Sequence, residues 1–184
     1  MSVIKLILPD GLWPSIQRHL LPERGKVEEA AFLFAAVEEE PSLTNLRVID
    51  WYPVPPEGFE EQSPYFLHVG DETKAHVIKR AHDLQAALIE VHSHPFQTIA
   101  EFSQSDLLGF SEFVPHVRWR LKRRPYAAVV VADRTFDALA WAGDSKDAGP
   151  LHSIDADGEH FYPTGATEPD SGESYGTRRP VQPK

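Results

Sequence analysis

The order of the predicted strands and helices is the feature of this sequence that most constrains its fold. Runs of apolar, β-branched and aromatic residues bounded by turn signals predict strands at residues 3–8, 28–37, 46–54, 65–69, 87–92, 126–132 and 136–142. Helical spacing of apolar residues predicts helices at residues 12–21, 72–85 and 103–114. Residues 151–162 predict a last hairpin, and residues 53–64 a proline-rich irregular segment. Such a mixture predicts an α/β or α+β sandwich with one central sheet.

The length and composition favour a single globular domain. The 184 residues suffice for one adequate core, and the shares of hydrophobic and charged residues are ordinary for a soluble protein. We predict that this domain spans residues 1–163. Residues 164–184 are rich in Pro, Gly, Ser and charged residues, and we predict that they form a flexible C-terminal tail.

Charge and hydropathy bear on the partners and the compartment. The net charge of −10 disfavours a nucleic-acid partner, because binding to phosphates needs a cationic surface. The longest apolar runs, residues 30–37 and 126–132, are far shorter than the roughly 20 residues that span a bilayer. The N-terminus also lacks the basic-then-apolar pattern of a secretory signal. We therefore expect a cytoplasmic protein with no membrane partner.

Two histidines and one aspartate form a candidate metal site. His92 and His94 close the predicted strand at a spacing of two, so their side chains point to one face, and Pro95 ends the strand. Asp106 lies on the first turn of the next predicted helix, where its carboxylate can reach them. Two imidazoles and one carboxylate are typical ligands of a catalytic zinc ion that keeps its fourth position open for water. Because the chain contains no cysteine, disulfide bonds, thiol nucleophiles and cysteine-based zinc sites are excluded.

Each half of this pattern also has a simpler interpretation. A His-x-His pair in a chain with nine histidines is usually accidental, and Ser103 followed by Asp106 is by itself a common N-terminal helix cap. The specificity lies in the combination: residues 92–95 read His-Ser-His-Pro, seven residues follow, and residues 103–106 read Ser-Gln-Ser-Asp. This combination resembles the JAMM motif of the JAB/MPN family of zinc metalloproteases. The compact chain is most similar to the prokaryotic stand-alone branch of that family.

The resemblance implies a fold and a metal site. The implied MPN fold is a curved, mostly antiparallel sheet flanked by helices, with an architecture related to that of cytidine deaminases. His92, His94 and Asp106 would hold one Zn²⁺ per chain. Ser103 is the implied side-chain donor to the oxyanion, a role that can coexist with capping of the helix.

The resemblance also implies a catalytic glutamate on an upstream strand. In the family this general acid/base is followed by small residues three and seven places later, and Glu28 satisfies that spacing with Ala31 and Ala35. The family usually has glycine at those places, so Glu29 stays open as a second candidate. Glu90 shares a strand face with His92 but matches no position of the family pattern, and a hydrogen bond to a histidine is its alternative role.

The activity that the resemblance implies is that of a zinc-dependent isopeptidase or peptidase. It would cut after the C-terminal Gly-Gly of a ubiquitin-like or sulfur-carrier protein, in deconjugation or precursor processing. A ubiquitin-activating-like enzyme is a further expected partner. Two alternatives stay open: a catalytically silent MPN scaffold that only binds partners, and a small-molecule metalloamidase. Such scaffolds normally lack a metal ligand, and a small substrate needs a closed pocket.

A basic cluster, residues 118–124, contains five cations in an otherwise acidic chain. Its simplest interpretation is a solvated loop after the helix predicted at residues 103–114. A docking site for an acidic partner and a weak nucleic-acid contact aided by Trp119 are the functional alternatives.

Residues 53–64 and 107–125 lie where members of the JAB/MPN family often carry insertions that grip the substrate.

Overall fold

The computed structural model describes residues 3–167 as a mixed assembly of strands and helices. The helices in this part of the chain are α1 (Leu12–Leu20), α2 (Asp71–Asp83) and α3 (Gln104–Arg120). The strands are β1 (Val3–Ile7), β2 (Ala30–Glu40), β3 (Leu43–Pro53), β4 (Phe59–Gln62), β5 (Leu67–Val69), β6 (Ala87–Ser93), β7 (Tyr126–Ala132), β8 (Thr135–Trp141), β9 (Gly149–Pro150), β10 (Ser153–Ala156) and β11 (Glu159–Phe161).

One large sheet organises the molecule. Its strand order is β11-β10-β1-β3-β2-β6-β7-β8-β9, and β4 pairs with β5 in a separate hairpin. The pairs β1/β10, β1/β3 and β6/β7 are parallel, whereas the other neighbours in this sheet are antiparallel. The predicted α+β mixture around one mostly antiparallel sheet is therefore confirmed. None of the described helices combines the length and hydrophobicity needed to cross a membrane.

The centre of the sheet is buried on both faces, and the central strands β6 and β7 consist mostly of apolar residues. Alternate residues of β7 enter two different cores: Ala127 and Val129 face α1, whereas Ala128 and Val130 face α2 and α3. A strand covered on both faces has no need of polar alternation, which explains its continuous apolar run. The end of β6, in the middle of this layer, is consequently a rigid support for side chains that face the two helices.

The third helix is longer than the sequence predicts. The sequence predicts that this helix ends near residue 114, whereas α3 continues through Pro115 to Arg120. Burial explains the difference, because Val117 and the adjoining Leu121 are enclosed in the core beneath the helix. The first half of the basic cluster is therefore helical, and its prediction as a loop was wrong.

Residues 53–64 are also more regular than predicted. They contain a 3₁₀ turn at Pro56–Gly58 and the strand β4, which pairs with β5. Phe59 at the start of β4 is partly buried and packs against the core under α2 and α3. The segment is thus attached to the helical face of the domain.

The chain stays attached to the domain beyond the boundary predicted at residue 163. The buried carboxylate of Asp137 accepts a hydrogen bond from the N–H of Thr167 at 2.8 Å. The Thr167 hydroxyl accepts one from the N–H of Phe102 at 2.9 Å. Residues 164–167 therefore brace the loop that leads into α3. The rest of the predicted tail, residues 168–184, lies outside the described residues.

Candidate metal centre

The two histidines project from the end of the central strand β6. His92 is in register with Ala30 of β2 and Val130 of β7, so its backbone is held on both sides. The N–H of His94 donates to the carbonyl of Val131 at 2.9 Å, which fixes the residue just beyond the strand. Both side chains are buried, and their ring centroids are 5.1 Å apart. The structure therefore brings together the histidines that the sequence predicts to share a face.

The third candidate ligand lies at the start of α3 and is held by a capping box. The backbone N–H of Asp106 donates to the Ser103 hydroxyl oxygen at 3.1 Å, and the backbone N–H of Ser103 donates to Asp106 Oδ2 at 2.7 Å. The Ser103 hydroxyl also donates to Asp106 Oδ2, at 2.7 Å. In this structure the single hydroxyl hydrogen of Ser103 is thus directed at the aspartate, whose carboxylate it orients toward the histidines.

The distances among these three side chains suit a small metal ion. Asp106 Oδ1 lies 3.6 Å from His92 Nε2, and Asp106 Oδ2 lies 3.3 Å from His94 Nε2. The ligand atoms of all three residues fall within 4.8 Å of one another. Ligands of a tetrahedral zinc ion with bonds of about 2.0–2.1 Å are themselves about 3.3 Å apart, so only small movements are needed.

The hydrogen bonding of His92 is a second indication that this cluster fits a metal. Both ring nitrogens, Nδ1 and Nε2, are buried and have no hydrogen-bond partner among the described residues. A buried polar atom without a partner is costly, so such atoms in folded proteins usually have an explanation. Binding of Nε2 to a metal would satisfy one of them. The donor set of two imidazoles and one carboxylate is also that of catalytic zinc sites.

Glu28 lies beside the cluster although it comes from a different part of the chain. Its Oε1 is 3.7 Å from His94 Nε2, and its side chain is buried. Backbone contacts hold it there: the N–H of Glu28 donates to the carbonyl of Ser63, and its carbonyl accepts from the Gln62 side chain at 2.8 Å. The β4–β5 hairpin therefore positions Glu28, and the sequence carries no signal for this role of Gln62.

Ser93, between the two histidines, connects the glutamates to the metal ligands. Its hydroxyl accepts a hydrogen bond from the N–H of Glu29 at 3.0 Å, and its own N–H donates to the carbonyl of Glu29 at 3.0 Å. These bonds replace ladder pairing at this point, and β2 begins at Ala30, two residues later than predicted. A hydroxyl at this position fixes the backbone next to Glu28.

The side chain of Glu29 has a different environment from that of Glu28. Burial raises the pKa of Glu29, and His19 and the side chain of Gln62 oppose that shift, whereas none of the three candidate ligands contributes to it. His19 is itself held by a 2.9 Å contact to the carbonyl of Ala30. Of the two adjacent glutamates, Glu28 is the one that the structure brings to the cluster.

The pKa values of the two carboxylates beside the histidines, Glu28 and Asp106, are shifted in opposite directions. Burial raises the pKa of Glu28, and the attraction of His94 and His92 offsets this only in part. Burial would also raise the pKa of Asp106, but the close approach of His92 and His94 and the hydrogen bond from Ser103 hold it well below its usual range. The candidate ligand Asp106 therefore stays anionic, whereas Glu28 takes up a proton more readily than an ordinary carboxylate.

Glu90 contacts His92 from the side opposite Asp106. Its Oε1 lies 3.8 Å from His92 Nδ1, and its Oε2 accepts a hydrogen bond from the Tyr126 hydroxyl at 2.8 Å. Burial raises the pKa of Glu90, although the attraction of His92 opposes the shift. If Nε2 of His92 held a metal, the proton of the ring would be on Nδ1, and the nearby carboxylate of Glu90 would orient the ring and increase its basicity.

This contact predicts that Glu90→Gln weakens metal binding. We expect zinc affinity to fall about 10-fold or more, because loss of a carboxylate behind a histidine ligand typically costs 10–100-fold. The measurement is competition with a fluorescent zinc chelator. Tyr126→Phe keeps the carboxylate and should have a smaller effect. Unchanged affinity in Glu90→Gln, with normal circular dichroism, would show that Glu90 has no influence on the metal.

An apolar cavity of about 610 Å³ opens next to the cluster. His92, Asp106 and Glu90 form one end of it, and its other walls come from α2, α3 and the strand β5. Aromatic side chains line it prominently, namely Phe32, Phe66, Phe110 and Phe113. A ligand held in this cavity would therefore lie against the candidate metal ligands.

Comparisons with known proteins inform the fold alone. No protein-family model matches the chain, and no curated protein matches it. Among solved structures, the chain is similar to the solution structure of protein DSY2949 from Desulfitobacterium hafniense, with a TM-score of 0.53 and 12% sequence identity. The match covers 83% of this chain and 94% of the other. The two proteins therefore share a fold over most of their lengths.

Proposed function

We propose that the chain is a zinc-dependent isopeptidase or peptidase with the MPN fold. It would cleave after the C-terminal Gly-Gly of a ubiquitin-like or sulfur-carrier protein. The observation that carries the proposal is the position of Glu28, whose Oε1 lies 3.7 Å from His94 Nε2 at the edge of the His92, His94 and Asp106 cluster. A buried carboxylate beside three metal-binding side chains is the arrangement that metal-assisted hydrolysis requires.

The roles of the side chains follow from their contacts. When bound, a zinc ion lowers the pKa of water to about 7 and polarises the scissile carbonyl. Glu28, whose pKa is raised by burial, is suited to accept a proton from water and deliver it to the leaving amine. Ser103 primarily orients Asp106, and its hydroxyl would have to rotate away from that carboxylate to donate to an oxyanion.

The surroundings of the cluster favour a protein substrate over a small molecule. Several large apolar side chains of the adjoining segments are exposed, among them Tyr65, Phe96, Ile99 and Leu108. Tyr65 and Phe96 also contact each other, with ring centroids 5.8 Å apart. Clusters of exposed apolar residues around a cavity are typical of protein-binding surfaces. We therefore prefer a peptidase to a small-molecule metalloamidase.

The set of side chains also favours an enzyme over a silent scaffold. A scaffold has no requirement for three metal ligands, a buried glutamate beside them and a capping box that orients one ligand. Buried ionisable groups are costly to keep without a function, which makes such clusters candidates for catalysis. A ubiquitin-activating-like enzyme is the further partner that the proposed reaction would involve.

The proposed activity predicts cleavage of ubiquitin that carries a fluorogenic aminocoumarin after its Gly-Gly. A zinc chelator should abolish the activity, whereas an alkylating agent for thiols should leave it unchanged, because the chain has no cysteine. Exchange of the penultimate Gly for Val should slow cleavage about 100-fold, because a side chain there displaces the scissile bond from the metal. Equal rates for the Val variant, or for unrelated short peptides, would contradict selectivity for Gly-Gly.

A further inference from the structure

The apolar cavity beside the candidate metal centre adjoins a second cavity between the same two helices. The second cavity, of about 720 Å³, is lined by residues of α2, by the C-terminal part of α3 and by Lys122 just after α3. Ala75, Ile78 and His116 line both cavities, so the two lie side by side. We call the two adjoining cavities the α2–α3 trough. It extends from the candidate metal ligands to the basic cluster.

The far end of the α2–α3 trough is cationic. Lys79, Arg120 and Lys122 line it together with two histidines, and no acidic side chain contributes to its wall. Lys79 pairs with Asp83, whereas Arg120 and Lys122 make no ion pair with any residue in the range 3–167. In a chain with a net charge of −10, this is a local reversal of sign at a defined place.

Two other members of the basic cluster, Arg118 and Arg123, have internal partners. The Arg118 guanidinium donates to the carbonyl of Ser145 at 2.6 Å, and Arg123 pairs with Asp144 at 2.5 Å. These contacts attach the end of α3 to the loop that follows β8. Arg120 and Lys122 are therefore the cations of the cluster that remain available at the trough.

Helix geometry gives the length of the trough. Asp106 and Arg120 are both in α3, and a rise of 1.5 Å per residue separates their backbones by about 21 Å. An extended peptide advances about 3.3–3.6 Å per residue, so six or seven residues cover this distance. A small molecule at the metal cannot reach the cations, but the tail of a protein substrate can.

We infer that the α2–α3 trough binds the substrate segment that precedes the Gly-Gly, and that this segment carries acidic side chains six to seven residues before the cut. The inference rests on the proposed function and specifies the chemistry of its partner. Attraction between the acidic side chains of the substrate and the cations at the far end of the trough would fix the register of the tail and accelerate association of the substrate with the protein. The exposed ring of Trp119, beside Arg120, adds apolar area of the kind that dominates protein interfaces.

A protein segment fits this surface better than a nucleic acid does. A polynucleotide carries a phosphate at every residue, and an overall charge of −10 would repel it beyond the few cations of the trough. The Arg120 guanidinium also lies 5.3 Å from the centroid of the Trp119 ring, so it covers part of the surface on which a base would stack. A short acidic stretch needs only the cations that are present.

Three synthetic peptides test the inference on the zinc-loaded protein. Each carries an N-terminal fluorophore, a four-residue charge block, a neutral spacer of three residues and Gly-Gly-aminocoumarin, so that, counted back from the cut, the charge block begins at the sixth residue. The blocks are four Glu, four Gln or four Lys. We expect the Glu peptide to have a KM about tenfold lower than the Gln peptide at low salt, with similar kcat, and the difference to shrink as salt screens the charges. Equal KM values for the three peptides would overturn the inference.

A matched pair of variants identifies the surface responsible. Arg120 and Arg18 are both exposed arginines in the last turn of a helix, but Arg18 belongs to α1 on the opposite face of the sheet. Arg120→Glu should remove the preference for the Glu peptide over the Gln peptide. Arg18→Glu should preserve the preference. A preference that survives Arg120→Glu, or disappears equally in Arg18→Glu, would refute binding in the trough.

Binding measurements separate this inference from the proposed activity. If none of the peptides is cleaved, the proposed activity fails, and fluorescence anisotropy of the same peptides still decides the inference. Tighter binding of the Glu peptide that depends on Arg120 would support it, and equal binding of all three would refute it. The inference would be overturned if an oligothymidylate displaced the Glu peptide, bound more tightly than that peptide and lost its affinity in Arg120→Glu. That result would favour a nucleic acid as the partner of the trough.

Discussion

Glu28→Gln should reduce kcat by about 10²–10⁴-fold while the protein keeps its zinc. General acid/base catalysis contributes this much to typical reactions, and an amide cannot accept and return a proton. The exchange preserves the shape of the side chain, and the backbone contacts of Glu28 to Ser63 and Gln62 do not involve its carboxylate. The measurements are single-turnover cleavage of the ubiquitin-aminocoumarin probe and zinc content by mass spectrometry.

Glu29→Gln is the matched control, because it makes the same chemical change one residue away. The Glu29 side chain interacts with His19 and Gln62 and not with the candidate ligands. We therefore expect its turnover to stay within about twofold of the parent value, as for most substitutions outside a site. If Glu29→Gln loses turnover and Glu28→Gln does not, the assignment of the two glutamates is reversed.

The grouping of His92, His94 and Asp106 could be predicted because their geometry is mostly local. His92 lies in β6 and His94 directly follows the last residue of that strand, so strand alternation fixes their common face, and Asp106 lies on the first turn of the next helix. Glu28 was predicted only through the resemblance to a family. Its actual position depends on contacts of its own backbone with Ser63 and Gln62 and of the adjoining Glu29 with Ser93, which are distant along the chain, and no periodicity in the sequence encodes such contacts.

Other differences between prediction and structure also have tertiary causes. The helix α3 passes through Pro115 because burial of Val117 outweighs the local cost of proline. The buried carboxylate of Asp137 holds residues 164–167, although their composition suggests mobility. The order of the nine strands was likewise beyond prediction, because apolar patterning shows that a strand is buried but not which strands are its neighbours.

Loss of a metal ligand should affect activity more than any other single change. His94→Ala should abolish cleavage and reduce zinc occupancy to a small fraction, because three protein ligands leave no substitute. Thermal unfolding gives a second readout: zinc should raise the Tm of the parent protein, since it binds only the folded state, and should leave the Tm of His94→Ala unchanged. Full zinc occupancy in His94→Ala would refute the site.

Asp106 requires a different comparison, because its carboxylate is both a candidate ligand and part of the capping box of α3. Asp106→Ala removes both functions, whereas Ser103→Ala removes the hydroxyl that caps the helix and leaves the carboxylate in place. Both variants should lose about 1 kcal/mol of stability in the zinc-free state from the missing cap. Only Asp106→Ala should also lose zinc, measured by chelator competition. If Ser103→Ala released zinc as completely as Asp106→Ala, the orientation of the carboxylate by Ser103 would be as important for metal binding as the carboxylate itself.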